Sequence, residues 1–541
     1  MGYKNFYHGF KKEFHECIYT NVSNNHDVLI VELNGVFYSS LKKIYGYIQL
    51  SQNEFESIKN IREKTFHLKL FEEIGKQICK IIKKYRPSRK IFLVVDGVAA
   101  MMKNSEQRQR RYKNCLENKY GDLFDLNSFS PGTKLMHHLT KYIDWFIRKQ
   151  ISYDSIFNDL EIFFSNEKVF GEGEYKIMRF IHQHCQAEQN ILLYTCDSDM
   201  ILLSMLHCDL HKMMIIRNSS IYGEEYIDIN KSLEYMIEKF NFSNSNCREQ
   251  LIIDFFILFF LLGNDYIASS PSIYHFDILF HCIFPIYKKF GKHLSNNDKQ
   301  LDQKNIYDFF KILGKSEKKW LENKYENQNS YFPDLIFLQT NQNEFDFEKY
   351  KLEYNELYFK NNLIKAQTDY FNNINNILKM YSNQDFDWEI FYPYYKAPFL
   401  SDFKNYELLT LNYGTCSNYT FAKDMYFHLL TVLPPQSKQL LPSNFQTIFY
   451  DLKYFFPSHI EIDLTGKQKL WEGIVKLPLI DIQLFFKFYM KHKEKISEGE
   501  KKRSTIGKTF MYTYNTLHTQ NFQSYYGCIQ NSPVFCKLIT I

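Results

Sequence analysis

The sequence predicts an α/β protein with a mostly parallel central sheet flanked by helices, and three observations predict it. Apolar runs at residues 28–33, 91–95 and 191–195 have the length and Val/Ile/Leu character of strands buried on both faces. Each run is followed by a longer amphipathic segment, as the crossover connections of a parallel sheet require. Each also carries a carboxylate at or just past its end: Glu32, Asp96, and Asp197 with Asp199. In open α/β sheets, ligand sites gather beyond the carboxyl ends of the strands.

Composition fits this class and excludes others. The 541 residues are 45% hydrophobic and 23% charged, with only 20 Gly and 13 Pro, which rules out collagen-like and wholly disordered chains. Eleven cysteines include no Cys-x-x-Cys pair and read as free thiols of a reducing compartment. His182, His184 and Cys185 lie close together but on a helical stretch without a partner cluster, so no zinc site is expected there. The formal charge of +5 permits a nucleic-acid partner without demanding one. The N-terminus lacks the apolar run of a signal peptide, and Phe6 stands where a myristoylation signal after Gly2 needs Ser or Thr. The longest apolar run, residues 251–262, is too short to span a bilayer and contains Asp254. A soluble, intracellular protein is expected, with no membrane partner.

Along the chain, the α/β alternation occupies the first half, and residues 274–325 have a helical pattern. An Asn- and Gln-rich interval, residues 327–347, reads as a connector or mobile loop. The second half is rich in aromatic residues and prolines, and residues 491–503 read as a solvated helix or loop.

Any one acid at a strand end would serve as an N-cap or turn residue, but four at three strand ends point to convergence. Two further acidic elements join them. Gly171-Glu172-Gly173-Glu174 precedes an amphipathic helix beginning near Tyr175, and Gly263-Asn264-Asp265 closes the apolar helix, with Gly263 suited to its C-cap. Seven carboxylates in one crevice repel each other, and hard divalent cations with oxygen ligands relieve that repulsion. Two such ions about 3.5–4 Å apart would clamp the attacking and leaving oxygens of a phosphoryl displacement. The reaction class that follows is metal-assisted phosphodiester hydrolysis. Beside the acids, Lys103, Gln107, Arg110 and Arg111 fall on one face of a helix. Three cations and an amide suit a terminal phosphate held at a set distance from the metals.

These motifs, in this order and spacing, resemble the XRN family of 5′-to-3′ exoribonucleases. The likeness runs through Val95-Asp96-Gly97-Val98-Ala99, the Gln107–Arg111 segment, Ser130-Pro131-Gly132-Thr133, the Gly171–Glu174 and Lys176-Ile177-Met178 motifs, Asp197-Ser198-Asp199 and Gly263-Asn264-Asp265. It continues through Phe391-Tyr392-Pro393-Tyr394, Ala397-Pro398-Phe399-Leu400-Ser401-Asp402, Leu433-Pro434-Pro435 with Ser437-Lys438, and Gly466-Lys467 with Trp471.

The resemblance implies a PIN/FEN-like nuclease core over residues 1–326. A connector at 327–360 would lead to a second, aromatic-rich α+β region at 361–541 packed on that core. It implies processive hydrolysis of single-stranded RNA with a 5′ monophosphate to nucleoside 5′-monophosphates, in decay of decapped messenger RNA. Two Mg²⁺ ions, with Mn²⁺ as a substitute, would be bound by Glu32, Asp96, Glu172, Glu174, Asp197, Asp199 and Asp265. Lys103, Gln107, Arg110 and Arg111 would hold the 5′ phosphate, while Tyr38 and Trp388 would contact the substrate. Glu32 stands where the family has Asp, Tyr38 where it has a stacking His, and Ile390 where it has a second tryptophan; Met101 and Phe170 also depart from the family pattern. The expected partners are RNA and a decapping enzyme, the expected state a monomer, and the expected location the cytoplasm (the host's, for a viral protein). The chain ends where the second region ends, as a form without the family's long C-terminal accessory domains would. The alternatives are an RNA-binding scaffold with impaired catalysis and a FEN-type DNA endonuclease.

Overall fold

The computed structural model describes residues 6–22, 25–50, 63–117, 119–120, 123–219, 223–241, 247–326, 332–340, 344–404, 423–465, 467 and 472–541. Gly2, Asn327, Gly466 and Trp471, singled out above, lie outside the described residues.

All three expected strands form, as Val28–Glu32 (β2), Lys90–Val94 (β3) and Asn190–Tyr194 (β5). They join Ile18–Tyr19 (β1), Glu161–Ser165 (β4), Lys212–Ser219 (β6), Gly223–Asp228 (β7), Thr509–Tyr514 (β8) and Val534–Ile539 (β9). The nine-stranded sheet has the order β1-β7-β6-β5-β2-β3-β4-β8-β9. The five central strands β6-β5-β2-β3-β4 are parallel, and both edges are antiparallel. From β2 the chain crosses to β3 on one side and later to β5 on the other. The sheet therefore has a topological switch point beyond Glu32, where an α/β sheet opens a crevice.

Alternation along the strands divides the core in two. Val28, Ile30, Phe92, Val94, Ile191 and Leu193 face one layer; Leu29, Val31, Ile91, Leu93 and Leu192 face the other. Helix Leu33–Leu50 (α1) follows β2, and Asn104–Glu117 (α2) follows the loop after β3. Gly173–His184 (α3) and Asp199–Met205 (α4) follow β4 and β5. Arg248–Phe260 (α5) is the expected apolar helix, buried on nearly every face. Among the described residues, no helix is long and apolar enough to cross a membrane. The ten described cysteines are all free. His184 packs against Phe163 and Phe180.

Three features of the second half correct or extend the sequence reading. The interval 327–347 is not simply a loop: its described part contains the helix Leu335–Thr340, because Phe337 and Phe345 pack with Tyr350 and Phe399 in a small aromatic core. The segment 491–503 holds the end of one helix, a turn and the helix Glu498–Ser504, which Ser497 and Glu500 start with a capping box, but it is not wholly solvated. Arg503 is buried and its Nε donates to Gly132 O at 2.9 Å. Lastly, β8 comes from the C-terminal end of the chain yet pairs directly with β4, so the far end completes the sheet begun near the N-terminus.

The loop 399–402 is clasped from both sides. Glu317, fully buried, accepts from the amides of Leu400 (2.9 Å) and Ser401 (2.8 Å). Lys351 pairs with Asp402 at 2.9 Å, both largely buried. Helix α5, which leads to Asp265, has a polar anchor of its own. Asp254 accepts from Tyr287 Oη (2.6 Å), Ser295 N (2.8 Å) and Ser295 Oγ (2.7 Å), with His293 Nδ1 at 2.7 Å. Removing that carboxylate strands several buried donors. Asp254→Ala should therefore cost ~3 kcal/mol of stability in urea unfolding, and Asp254→Asn distinctly less.

Candidate active site

The acids meet because each sits at the carboxyl end of a parallel strand or on a tight turn beside one. Glu32 ends β2, Asp96 follows β3, and Asp197 follows β5. The 171–174 turn is drawn in by the loop after β3: Gly97 N donates to Gly171 O at 2.8 Å, and Gly171 N to Val98 O at 2.7 Å. No side chain fits at Gly97, where a Cβ would lie 1.8 Å from Val169 O, and Gly171 adopts φ +96°. Glu172 becomes the N-cap residue of α3, and Gly173 N donates to Asp96 Oδ1 at 2.7 Å. After α5, Gly263 turns the chain at φ +71° and delivers Asp265.

One open cavity of about 270 Å³ is lined by Glu32, Asp96, Glu172, Glu174, Asp197 and Asp265 together with Lys103, Gln107, Arg110, Arg111 and Tyr38. Of the residues singled out in the sequence, Asp199 and Trp388 do not line it. Asp199 begins α4, is buried, and its N–H donates to Asp197 Oδ1 at 3.3 Å. Trp388 packs edge-on against Phe170 and Tyr175 and beside Phe386, with the Lys423 ammonium over its ring. Its carbonyl accepts from Met101 N at 2.9 Å and so holds the short turn Met101–Lys103.

Lys103 is the electrostatic centre. Nearly buried, it pairs with Asp265 at 2.9 Å and Glu172 at 3.4 Å. Burial alone would lower its pKa, but Asp265, Glu172 and Glu174 outweigh burial and hold it well above the ordinary lysine value. Burial would raise Asp265, but Lys103 together with other cations, Arg110 among them, keeps that carboxyl below the usual range. Three other acids behave oppositely. Burial, then Asp197 and Asp96, push Glu32 up to about 8. Burial, with Glu172 and Asp197, pushes Glu174 up to about 7. Asp96 is also raised, by burial and by Glu172.

Helix α2 is not the solvated basic helix that its composition suggests. Gln107, Arg108 and Arg111 are all buried. Arg111 donates through Nε (3.3 Å) and Nη2 (3.1 Å) to Ser130 Oγ, and Gln107 Nε2 donates to Glu172 Oε1 at 3.2 Å. Burial and neighbouring Arg110 bring the Arg111 pKa down to about 10. Tyr38, 43% exposed, presents its ring in the cavity edge-on to Phe129.

Several contributors were not legible in the sequence. Thr195 donates to Glu32, and Asn34 to Asp96. Tyr266 Oη donates within the Glu172–Glu174 pair, 2.5 Å from Glu172 Oε2, and Tyr381 Oη donates to Glu174 at 2.5 Å. Arg217 and Cys196 also line the cavity. Asn34 and Tyr266 lie next to quoted motifs, and that adjacency was the available signal. Tyr381 acts across 207 residues, and no local pattern marks it.

Residues 1–219 match the model of the XRN 5′-3′ exonuclease N-terminus, and residues 342–533 match the Xrn1 helical domain. The chain belongs to the XRN family. It is 24% identical to 5′-3′ exoribonuclease 1 of Homo sapiens over 83% of this chain and 32% of that protein. It is 23% identical to 5′-3′ exoribonuclease 1 of Saccharomyces cerevisiae over 85% of this chain and 42% of that one. The chain thus spans 32% to 42% of the length of these XRN relatives. Among solved structures, it is similar to the catalytic core of Rad2 in complex with DNA substrate, with 15% identity, 58% of this chain and 78% of that one covered, and a TM-score of 0.30. It is also similar to T5 D15 protein co-crystallized with metal ions, with 16% identity, 55% and 86% coverage, and a TM-score of 0.28.

The raised carboxyls make stability pH-dependent in this XRN-family chain. The folded protein holds protons on Glu32 and Glu174 at pH values where the unfolded chain, with an ordinary value of 4.5, has released them. In a chelating buffer, stability should fall as pH rises from about 4.5 to about 8. Glu32→Gln should flatten that slope in melting experiments across the range.

Proposed function

We propose that this chain is a divalent-metal-dependent 5′-to-3′ exoribonuclease that removes one nucleotide at a time from single-stranded RNA with a 5′ monophosphate. The observation that carries this reading is the shared cavity: six carboxylates and the Lys103, Gln107, Arg110 and Arg111 group line the same space. A phosphate held by the basic group places the next phosphodiester over the acids. Family membership and the names of the curated relatives support the same reading.

Water attacks the phosphorus between the first and second nucleotides, and the bond to the first nucleotide's 3′ oxygen breaks. That oxygen leaves with a proton, so the released nucleotide keeps its 5′ phosphate. The remaining strand acquires a new 5′ phosphate, which fits the same basic group, and the cycle repeats without a change of substrate class. Tyr38 offers an aromatic face for the terminal base.

The donor set suits hard cations, since every acid in the cavity offers carboxylate oxygen and repulsion among them raises Glu32 and Glu174. Among the described residues, no three such groups already converge as one ion requires; Lys103, Tyr266 and Tyr381 satisfy several of the oxygens. Glu32, Asp96, Glu172, Glu174, Asp197 and Asp265 would hold the ions, with Asp199 behind them, its amide donating to Asp197. Two Mg²⁺ ions, or Mn²⁺, would supply activation of water and neutralisation of charge at phosphorus. On this reading the protein acts as a monomer in the cytoplasm, on messenger RNA already opened by a decapping enzyme.

The test is one 3′-labelled RNA carrying a 5′ monophosphate, hydroxyl or triphosphate, incubated with Mg²⁺ or EDTA. Loss of the monophosphate RNA alone, with mononucleotides released, is expected; intact RNA in every lane would overturn the reading. Asp197→Ala with Asp199→Ala should lower turnover about 100-fold or more while RNA binding persists. Arg110→Ala with Arg111→Ala should abolish the preference for monophosphate over hydroxyl ends.

A further inference from the structure

Arg217 sits near the end of β6, one strand beyond the acids. Ile216 O accepts from Thr195 N at 3.2 Å, which puts Arg217 level with Thr195 and Cys196 at the mouth of the sheet. Across the carboxyl edge, the order is then Arg217 on β6, Asp197 after β5, Glu32 on β2 and Asp96 after β3, followed in the chain by Lys103 and α2. The acids are flanked by cations on both sides, yet only the α2 side has an assigned ligand.

The setting of Arg217 is that of a group held ready for an anion. Its cross-strand partner Glu225 is already engaged, accepting from Tyr7 Oη at 2.6 Å and pairing with Lys11 at 2.5 Å. The guanidinium lies over the Tyr7 ring, 3.7 Å from its centre, which fixes its plane. Its Nη1 is buried with no hydrogen-bond partner among the described residues, although the side chain lines the cavity. An unpaired buried donor on a cation is costly unless a ligand completes it.

We propose that Arg217 binds the backbone phosphate immediately 3′ of the scissile one, so that the cavity grips RNA on both sides of the bond it cuts. The proposal rests on the exoribonuclease reading. With the terminal phosphate at α2 and the scissile phosphate at the acids, the next phosphate on the strand falls to the cation beyond them. A guanidinium stacked on tyrosine leaves its N–H edge for phosphate oxygens. Arg217 is then a substrate-positioning residue, and strand length becomes part of the recognition.

A chemical comparison tests this. A 5′-phosphorylated dinucleotide has only the terminal and scissile phosphates, whereas the trinucleotide adds the one assigned to Arg217. Arg217→Ala should lower kcat/KM on the trinucleotide about tenfold more than on the dinucleotide, with Arg217→Lys recovering part of the difference. A methylphosphonate at that one linkage should weaken wild-type binding in EDTA and add little further loss in Arg217→Ala. Equal losses on both substrates, or additive losses with the methylphosphonate, would overturn the assignment and make Arg217 a packing residue for Tyr7. A wild-type protein that cleaves neither substrate would overturn the exoribonuclease reading, and this inference with it.

Discussion

The buried ammonium of Lys103 is the contact on which the site depends. It pairs with Asp265, which arrives from α5, and with Glu172, which arrives from the turn before α3. Its own turn is held by the carbonyl of Trp388, from the second half of the chain. One cation therefore ties together three segments far apart in sequence, and it does so where breaking a buried pair costs several kcal/mol. Glu32 lies outside its influence and is raised by burial and by its neighbours, while Glu174 stays raised in spite of Lys103.

Helix α2 shows why both halves are needed. Four of its buried residues, Asn104, Gln107, Arg108 and Arg111, are polar, and Tyr112 alone gives it an apolar contact, with Val475 and Leu477. Several of its polar groups are matched by the second half. Arg108 Nη1 donates to Pro478 O at 2.6 Å, Lys113 to Gly473 O at 2.5 Å, and Asn104 to Thr431 on helix Met425–Val432 at 2.7 Å. Asn127, which donates to Arg111 O, also donates to the buried Ser437 at 2.9 Å. The family motifs around Leu433 and Ser437 thus bear on the basic face from behind. β8 binds the halves again at the sheet edge, through its pairing with β4.

Much of this was legible in the sequence. The strands at 28–33, 91–95 and 191–195 were plain because a strand buried on both faces must be apolar throughout, and few other elements are. The acids Glu32, Asp96 and Asp197 stood out because each follows or ends an apolar run where the chain leaves the sheet. Six of the seven line one cavity, as the parallel order required. Asp199 was grouped with Asp197 by spacing, but the start of α4 turns it out of the lining.

What the sequence determined by itself is local: periodicity, strand-end chemistry and the basic face of α2. What only the tertiary structure decided is partnership. Tyr381 reaches Glu174, Trp388 supports Lys103 rather than lining the cavity, and Arg217 is left with an unpaired donor because Glu225 is taken. A side chain's period along the chain tells which way it faces, but not what stands opposite. In this molecule the opposite group comes from up to several hundred residues away, and only the packing of the two halves brings it there.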